Sequence, residues 1–548
     1  MTVTSAITIP QRSGHQKRTG AQIAIDILEQ YGVDVVFGIP GVHTLALYDA
    51  LRSSSIRHIL PRHEQGAGFM ADGYARASGK PGVALVITGP GVTNIATPVG
   101  QAFTDSSPML VLSSNVERAH IDDMRGSLHD LKDQLGVMAA VTKWNARAMS
   151  ADSVAAIMNK AFSELRTGRP LPVHVEFPLD VLDEMGSIAA DGSEPDLRPS
   201  NPDSELIDRA AQILANAEHP VIYCGGGAVS SGATVAIVAL AERLNAPVIT
   251  SIMGKGAIPE DHPLSLGALW ELGNTVDDLL RSSDCALVVG SKLGSQATHG
   301  FQLQLPASTI RIDIDPREIE LNYRPSLALV ADAKITMETL LNRITKLKPT
   351  GNGFAHAAVL AARQAAERTS WHAERRSHVD ALRRAIPRDG VLVADMTQMA
   401  YVACGVYPVY EPRTFMFPSG YGTLGFALPA AIGAKIARPG AMVVAVVGDG
   451  GFQYTMAELA CAVQERISLP IVIFNDSTYS AVKEAQKESR DGRYIAVDLV
   501  NPDYVELAKA YGIPGVRVSS PDQLEAEVLA ASARSTPTII DAPIETWV

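Results

Sequence analysis

Val443-Val444-Ala445-Val446-Val447-Gly448-Asp449-Gly450-Gly451 opens the stretch that decides the fold, and Ile471-Val472-Ile473-Phe474-Asn475-Asp476 closes it. The two continuous apolar runs read as strands, and Met456 to Gln464 between them has helical patterning. A strand, helix, strand unit with short turns sets the strands parallel and brings their carboxyl ends to one edge. Asp449 is therefore expected beside the Asn475-Asp476 pair. Carboxylate, amide and carbonyl oxygens gathered in this way suit Mg²⁺, which fills its remaining positions with phosphate oxygens. The glycines leave room for a diphosphate, and the helix start supplies N–H groups and a favourable dipole. Taken alone, Gly448-Asp449-Gly450 is equally a plain turn; the second strand ending in Asn-Asp favours the metal reading.

Gly448-Asp449-Gly450 followed by Asn475-Asp476 resembles the cofactor signature of thiamin-diphosphate-dependent enzymes of the acetolactate synthase, pyruvate decarboxylase and benzoylformate decarboxylase group. The resemblance implies an α/β fold of three doubly wound parallel-sheet domains, with thiamin diphosphate and Mg²⁺ as cofactors. It implies metal ligands at Asp449, Asp476 and the backbone carbonyl of Thr478, with Gly448, Gly450, Gly451 and Tyr479 also at the cofactor. The usual pair in the group is Asn-Asn. Asp476 adds a carboxylate that attracts Mg²⁺ and repels the diphosphate, so either Asp476 or Asn475 is the ligand.

A chain of 548 residues exceeds a single core and is expected to form about three domains. We place them at 1–182 (pyrimidine-binding), 204–345 (central α/β) and 356–548 (diphosphate- and Mg-binding). A linker rich in Gly, Ser, Asp and Pro spans 182–203, and a second covers about 346–354. The net charge of −12, from 47 basic and 59 acidic residues, argues against nucleic acid or an anionic membrane as partner. Cys224, Cys285, Cys404 and Cys461 are scattered without C-x-x-C spacing, which predicts buried reduced thiols and no zinc site. Residues 1–18 carry no apolar signal core, and no run approaches the roughly 20 apolar residues of a membrane span. Cytoplasmic localisation is expected.

In the first domain, Val35 to Gly41 reads as a buried strand ending in a turn, with His43 at the carboxyl edge where open α/β sheets place ligands. His43 either lines a pocket or is a surface turn histidine. Glu64 stands where a strand end meets a helix rich in small residues, and by itself is either a helix-dipole glutamate or a site residue. The segment Arg62 to Gly82 resembles the acetolactate synthase segment whose glutamate touches the cofactor's pyrimidine ring. That likeness implies that Glu64 favours the imino tautomer by bonding a ring nitrogen. Thr88 stands where benzoylformate decarboxylases carry a histidine, and Asn115 where acetolactate synthases carry a glutamine. Gly126-Ser127-Leu128-His129-Asp130-Leu131-Lys132-Asp133-Gln134, with Pro40-Gly41-Val42-His43, is similar to decarboxylases acting on 5-guanidino-2-oxopentanoate. The similarity implies that His129 and His43 are catalytic, His129 supplying a proton after CO₂ departs. The alternative is that His129 only hydrogen-bonds its loop.

In the central domain acetolactate synthases bind FAD and place arginines after the fourth strand. This chain has Ser291-Lys292-Leu293-Gly294-Ser295-Gln296 there, and Gly225-Gly226-Gly227 is not G-x-G-x-x-G, so FAD is not expected and the domain is read as mainly structural. In the third domain Pro418 to Gly433 opens a helix packed through small residues. The resemblance puts the Gly422 carbonyl on the cofactor's amino group and Leu424 between its two rings. Tyr479 to Glu484 continues towards the substrate, with Glu484 a candidate partner for a cationic tail. The resulting expectation is a thiamin-diphosphate-dependent carboxy-lyase that converts a 2-oxo acid, foremost 5-guanidino-2-oxopentanoate, to an aldehyde and CO₂. A homodimer or homotetramer with the site between subunits is expected. The alternatives are acetolactate synthase-like carboligation and a non-catalytic cofactor-binding subunit, and intact Glu64 and Asp449 count against the latter.

Overall fold

The computed structural model describes residues 17–187, 200–268, 275–369 and 375–548. The N-terminal residues 1–16 and residues 188–199 of the first linker, for which sequence readings were made, lie outside the described residues. Strand β1 (Lys17–Thr19) pairs antiparallel with a later strand, Met185–Ser187. In between, β2 (Val35–Gly38), β3 (Arg57–Ile59), β4 (Gly82–Val86), β5 (Met109–Asn115), β6 (Trp144–Arg147) and β7 (Val173–Pro178) form a parallel sheet in the order β3-β2-β4-β5-β7-β6. Met185–Ser187, which is β8, falls inside the stretch read as linker; its pairing with β1 ties the two ends of this domain together.

The central sheet contains β9 (Pro220–Cys224), β10 (Val248–Thr250), β11 (Ser265–Ala268), β12 (Cys285–Val289), β13 (Ser308–Asp313) and β14 (Leu327–Val330), ordered β11-β10-β9-β12-β13-β14. The third contains β15 (Val391–Ala394), β16 (Phe415–Met416), β17 (Val443–Gly448), β18 (Leu469–Asn475), β19 (Gly515–Arg517) and β20 (Pro537–Pro543), ordered β16-β15-β17-β18-β20-β19. Every neighbouring pair in these three sheets is parallel, which matches strands buried on both faces and covered by helices. The expected α/β fold of three parallel sheets is present. All four cysteines are buried.

β17 and β18 are direct neighbours, with Gly448 opposite Phe474, so the predicted juxtaposition of their carboxyl ends holds. The predicted helical segment between them is present, but the helical run starts earlier. It begins at Asp449 and runs to Thr455, a 3₁₀ turn follows over Met456–Glu458, and Leu459–Gln464 is helical again. Gly450 and Gly451 hide the early start because glycine is a poor helix former, whereas Asp449 at the first position favours it. Thr88 and Gly89 lead directly into the Pro90–Asp105 helix, with proline at its first position.

Of the hydrophobic cores among the described residues, two show how the domains join. The central sheet has its own, whereas the first and third sheets share one that includes Phe37, Phe69, Val111, Ala430, Val443 and Ile471. The Glu64–Ser78 helix and the Ala427–Ala437 helix join them at backbone contact distance. A Cβ at Gly73 would lie 2.0 Å from the Ala430 carbonyl oxygen, and one at Gly433 would lie 1.9 Å from that of Met70. Neither position admits a side chain.

Candidate active site

The carboxyl ends of β17 and β18 assemble an oxygen-rich cluster. Asn501, far beyond both strands, donates through Nδ2 to Asp449 Oδ2 at 2.6 Å and to Asn475 Oδ1 at 3.0 Å, which closes the gap between them. Its own side-chain oxygen accepts from Gln453 Nε2 at 2.9 Å. Asp476 accepts from the Thr478 N–H at 3.3 Å and from the Ser480 hydroxyl. Asn475 Nδ2 reaches Asp541 Oδ1 at 3.3 Å instead of the cluster, leaving its oxygen directed at Asn501. Burial pushes the Asp449 carboxyl up, and the neighbouring charge of Asp476 adds to the rise; burial also raises Asp476. A buried and a half-buried carboxylate that repel each other are what a divalent cation would relieve. Gly450 keeps the turn bare, since a Cβ there would lie 2.5 Å from the Tyr479 ring. Among the described residues no group of three or more His, Cys, Asp or Glu side chains offers a competing metal site.

The loop that carries Gly422 and Leu424 is fastened from two directions. From β15, the fully buried Asp395 accepts from the N–H groups of Met396 at 2.8 Å and of Gly425 and Ala427 at 3.2 Å each. Burial nevertheless pushes its carboxyl up to about 6. From the first domain, Gln101 Oε1 accepts from the Thr423 hydroxyl at 2.5 Å and Asp105 Oδ1 accepts from the Gly420 N–H at 2.7 Å. Asp105 is held in turn by Arg76, at 2.9 Å. Leu424 is left half-buried.

In the first domain Glu64 is the first residue of the Glu64–Ser78 helix, and its Oε2 accepts from Asn94 Nδ2 at 2.9 Å. His43 lies in a short 3₁₀ turn after β2, is buried, and bonds Thr88 Oγ1 through Nδ1 at 3.1 Å. The His129 ring meets that of His43 edge to face with centroids 5.2 Å apart. Its loop is seated on Gly89, where a Cβ would lie 2.5 Å from the His129 carbonyl oxygen. Gln134, the last residue of the same motif, locks the loop from below: it accepts from the Gly89 N–H at 2.9 Å and donates to Ser114 O at 2.8 Å and to Glu176 Oε2 at 3.0 Å. Arg147 neutralises Glu176. Asn115, noted as a departure from the synthase pattern, donates to Glu176 at 2.9 Å. Burial, with the adjacent His129, lowers the His43 pKa, which favours the neutral imidazole.

The structure thus sets His43 against His129 and gathers Asp449, Asp476 and Thr478, while Glu64 bonds Asn94 at the start of its helix. Among the described residues no hydrogen bond joins these first-domain residues directly to the Asp449 cluster. Glu484 stands 3.5 Å from Gln398 Nε2. Asn94, Asn501, Gln101 and Asp395 escaped the sequence reading as site-forming residues, because each acts from another element and carries no local signature. A further cavity of about 670 Å³ lies where the three domains meet, bordered by Arg76, Gly227, Ser291, Lys292, Arg413 and Ser419.

Comparison with known proteins accords with this geometry. Three thiamine pyrophosphate enzyme models match: the N-terminal TPP binding domain over residues 18–137, the central domain over 207–340 and the C-terminal TPP binding domain over 395–542. A probable 2-ketoarginine decarboxylase of Pseudomonas aeruginosa is 41% identical over 95% of this chain and 93% of that protein. A probable acetolactate synthase large subunit of Methanocaldococcus jannaschii is 34% identical over 96% of this chain and 92% of its own. The acetolactate synthase isozyme 3 large subunit of Escherichia coli is also 34% identical, over 94% and 92% respectively. Matching domains at both cofactor-binding ends, over relatives spanned almost end to end, make this chain a member of the thiamine pyrophosphate enzyme family.

Proposed function

We propose that the protein catalyses the Mg²⁺-dependent, non-oxidative decarboxylation of a 2-oxo acid, with 5-guanidino-2-oxopentanoate, which is 2-ketoarginine, as the substrate. The observation that carries this reading is the His43–His129 pair, two imidazoles 5.2 Å apart on the first domain's site edge. The name of the relative from Pseudomonas aeruginosa supports the substrate. Asp449, Asp476 and the Thr478 carbonyl would hold Mg²⁺ and through it the diphosphate, while Glu64 would meet the pyrimidine ring. Bound thiamin diphosphate supplies the carbanion that adds to the 2-oxo carbon and the ring that accepts the electrons released with CO₂.

The protein's own part is positional and protonic. Glu64 keeps a proton at the pyrimidine nitrogen, anchored by Asn94. Leu424, left half-buried on its loop, would give the bound cofactor an apolar contact. Burial holds His43 towards the neutral imidazole, and its ring stands edge to face with that of His129, an arrangement that suits passing a proton to carbon. Exposed apolar side chains stand beside both groups, Val42, Leu45 and Leu128 on the first domain and Tyr454, Val482 and Ile495 on the third. They support a homodimer or homotetramer in which a second subunit covers them and completes the site. We divide the chain at 1–182, 204–345 and 356–548, and the proposal contains no flavin.

The test is a panel of 2-oxo acids supplied with thiamin diphosphate and Mg²⁺, with CO₂, aldehyde and acetolactate measured separately. Stoichiometric aldehyde from the guanidino acid is expected. Acetolactate from pyruvate, with the guanidino acid inert, would establish carboligation in its place.

A further inference from the structure

Glu458 ends the 3₁₀ turn that follows the Asp449–Thr455 helix, yet its carboxylate is engaged with the other domain. Its two oxygens accept from the Arg62 N–H at 3.1 and 3.0 Å, and Oε1 also accepts from the His63 N–H at 3.0 Å. The side chain is 1% exposed. Gly66 makes room for it, since a Cβ there would sit 2.1 Å from Glu458 Oε1. The helix does not depend on Glu458 for its cap, because His63 Nδ1 already accepts from the Gln65 N–H at 3.0 Å. What Glu458 holds is the pair of peptide planes that lead into Glu64, whose carboxyl is steadied at its far end by Asn94.

The arrangement is costly. Burial pushes the Glu458 carboxyl up to about 7, and the charge of Glu64 pushes it further in the same direction. A neutral side chain would hold two N–H groups without placing one carboxylate beside another. We propose that Glu458 is a positioning residue for Glu64: from the third domain it fixes the backbone that enters Glu64 and so sets the reach of that carboxyl towards the pyrimidine nitrogen. The inference rests on the proposed role of Glu64.

Glu458→Gln, which keeps the size and one acceptor oxygen, Glu458→Ala and Glu64→Gln would be compared with the wild type. In the cofactor-free protein, backbone amide exchange at Arg62 and His63 is expected to accelerate in both Glu458 variants. In the loaded enzyme, Glu458→Gln is expected to slow exchange of the thiazolium C–H by about 10²-fold, as a displaced reacting group does. Its melting midpoint and its calorimetric affinity for thiamin diphosphate with Mg²⁺ are expected to stay close to wild type. Slow exchange in Glu64→Gln with wild-type exchange in Glu458→Gln would overturn the inference and leave the Glu64 reading standing. Wild-type exchange in Glu64→Gln would overturn both. Parallel loss of melting temperature, cofactor affinity and exchange in Glu458→Gln would reduce the residue to a structural tie and overturn the inference as well.

Discussion

Asn501 shows what a single side chain adds to the turn proposed to hold the metal: one amide spans Asp449 and Asn475, and without it two acceptors would face each other unbridged. Asn501→Ala is expected to weaken Mg²⁺ binding by about 10- to 100-fold, the usual cost of losing a group that orients a metal ligand, with the fold intact by circular dichroism. Unchanged affinity in a calorimetric titration would remove Asn501 from the site. The meeting of Asp449 with Asp476 was legible in the sequence because a strand end that breaks at a polar turn is a local pattern, whereas Asn501 belongs to no motif. His174 makes a prediction of a different kind. It is fully buried, bonds Ser113 Oγ through Nε2 at 2.8 Å, and burial with the nearby Arg147 lowers its pKa from 6.5 to about 3. The unfolded chain therefore takes up a proton there that the folded chain refuses. Its contribution is complete above pH 6.5 and is lost as the pH falls towards 3, at roughly 1.4 kcal/mol per pH unit before any screening. Denaturant titrations of His174→Gln should show a flatter dependence on pH than the wild type between those limits; superimposable slopes would contradict the assignment.

At the level of elements, the decisive contact is between the Glu64–Ser78 and Ala427–Ala437 helices. The richness of both in glycine and alanine was visible in the sequence and announced close packing, but not which helix each would meet. Gly433→Ala places a methyl group 1.9 Å from the Met70 carbonyl oxygen, a contact that forces the helices apart. A loss of about 1–3 kcal/mol is expected, read as a lower midpoint in urea, with the m-value retained. A variant as stable as wild type would mean that the helices are free to slide. Because Glu64 begins one of these helices and the Leu424 loop leads into the other, the same substitution is expected to lower activity. The helix at Asp449 illustrates the opposite case, where local propensity misleads. Two glycines argue against a helix, yet the favourable charge at its first position helps to start one there.

For the whole molecule, the proposed assembly makes a genetic prediction. If each site takes Glu64 from one subunit and Asp449 from another, Glu64→Gln and Asp449→Asn proteins, each inactive alone, should regain activity when co-expressed, because a mixed dimer rebuilds one intact site. Sedimentation should find no active monomer of the 58.2 kDa chain. Failure of complementation in verified mixed dimers would place both groups of each site in a single chain. By itself the sequence determined three parallel sheets, the turn that ends in Asp449 and the family to which the chain belongs. Apolar runs, punctuating glycines and short motifs are properties of neighbouring residues, and neighbours are what a sequence lists in order. Only the tertiary structure decided that the first and third sheets share a core while the central one stands apart, and that Glu458 reaches Arg62 across 396 positions. Such contacts arise when helices interlock through the absence of side chains, and an absence specifies how near a partner can come without specifying which partner it is.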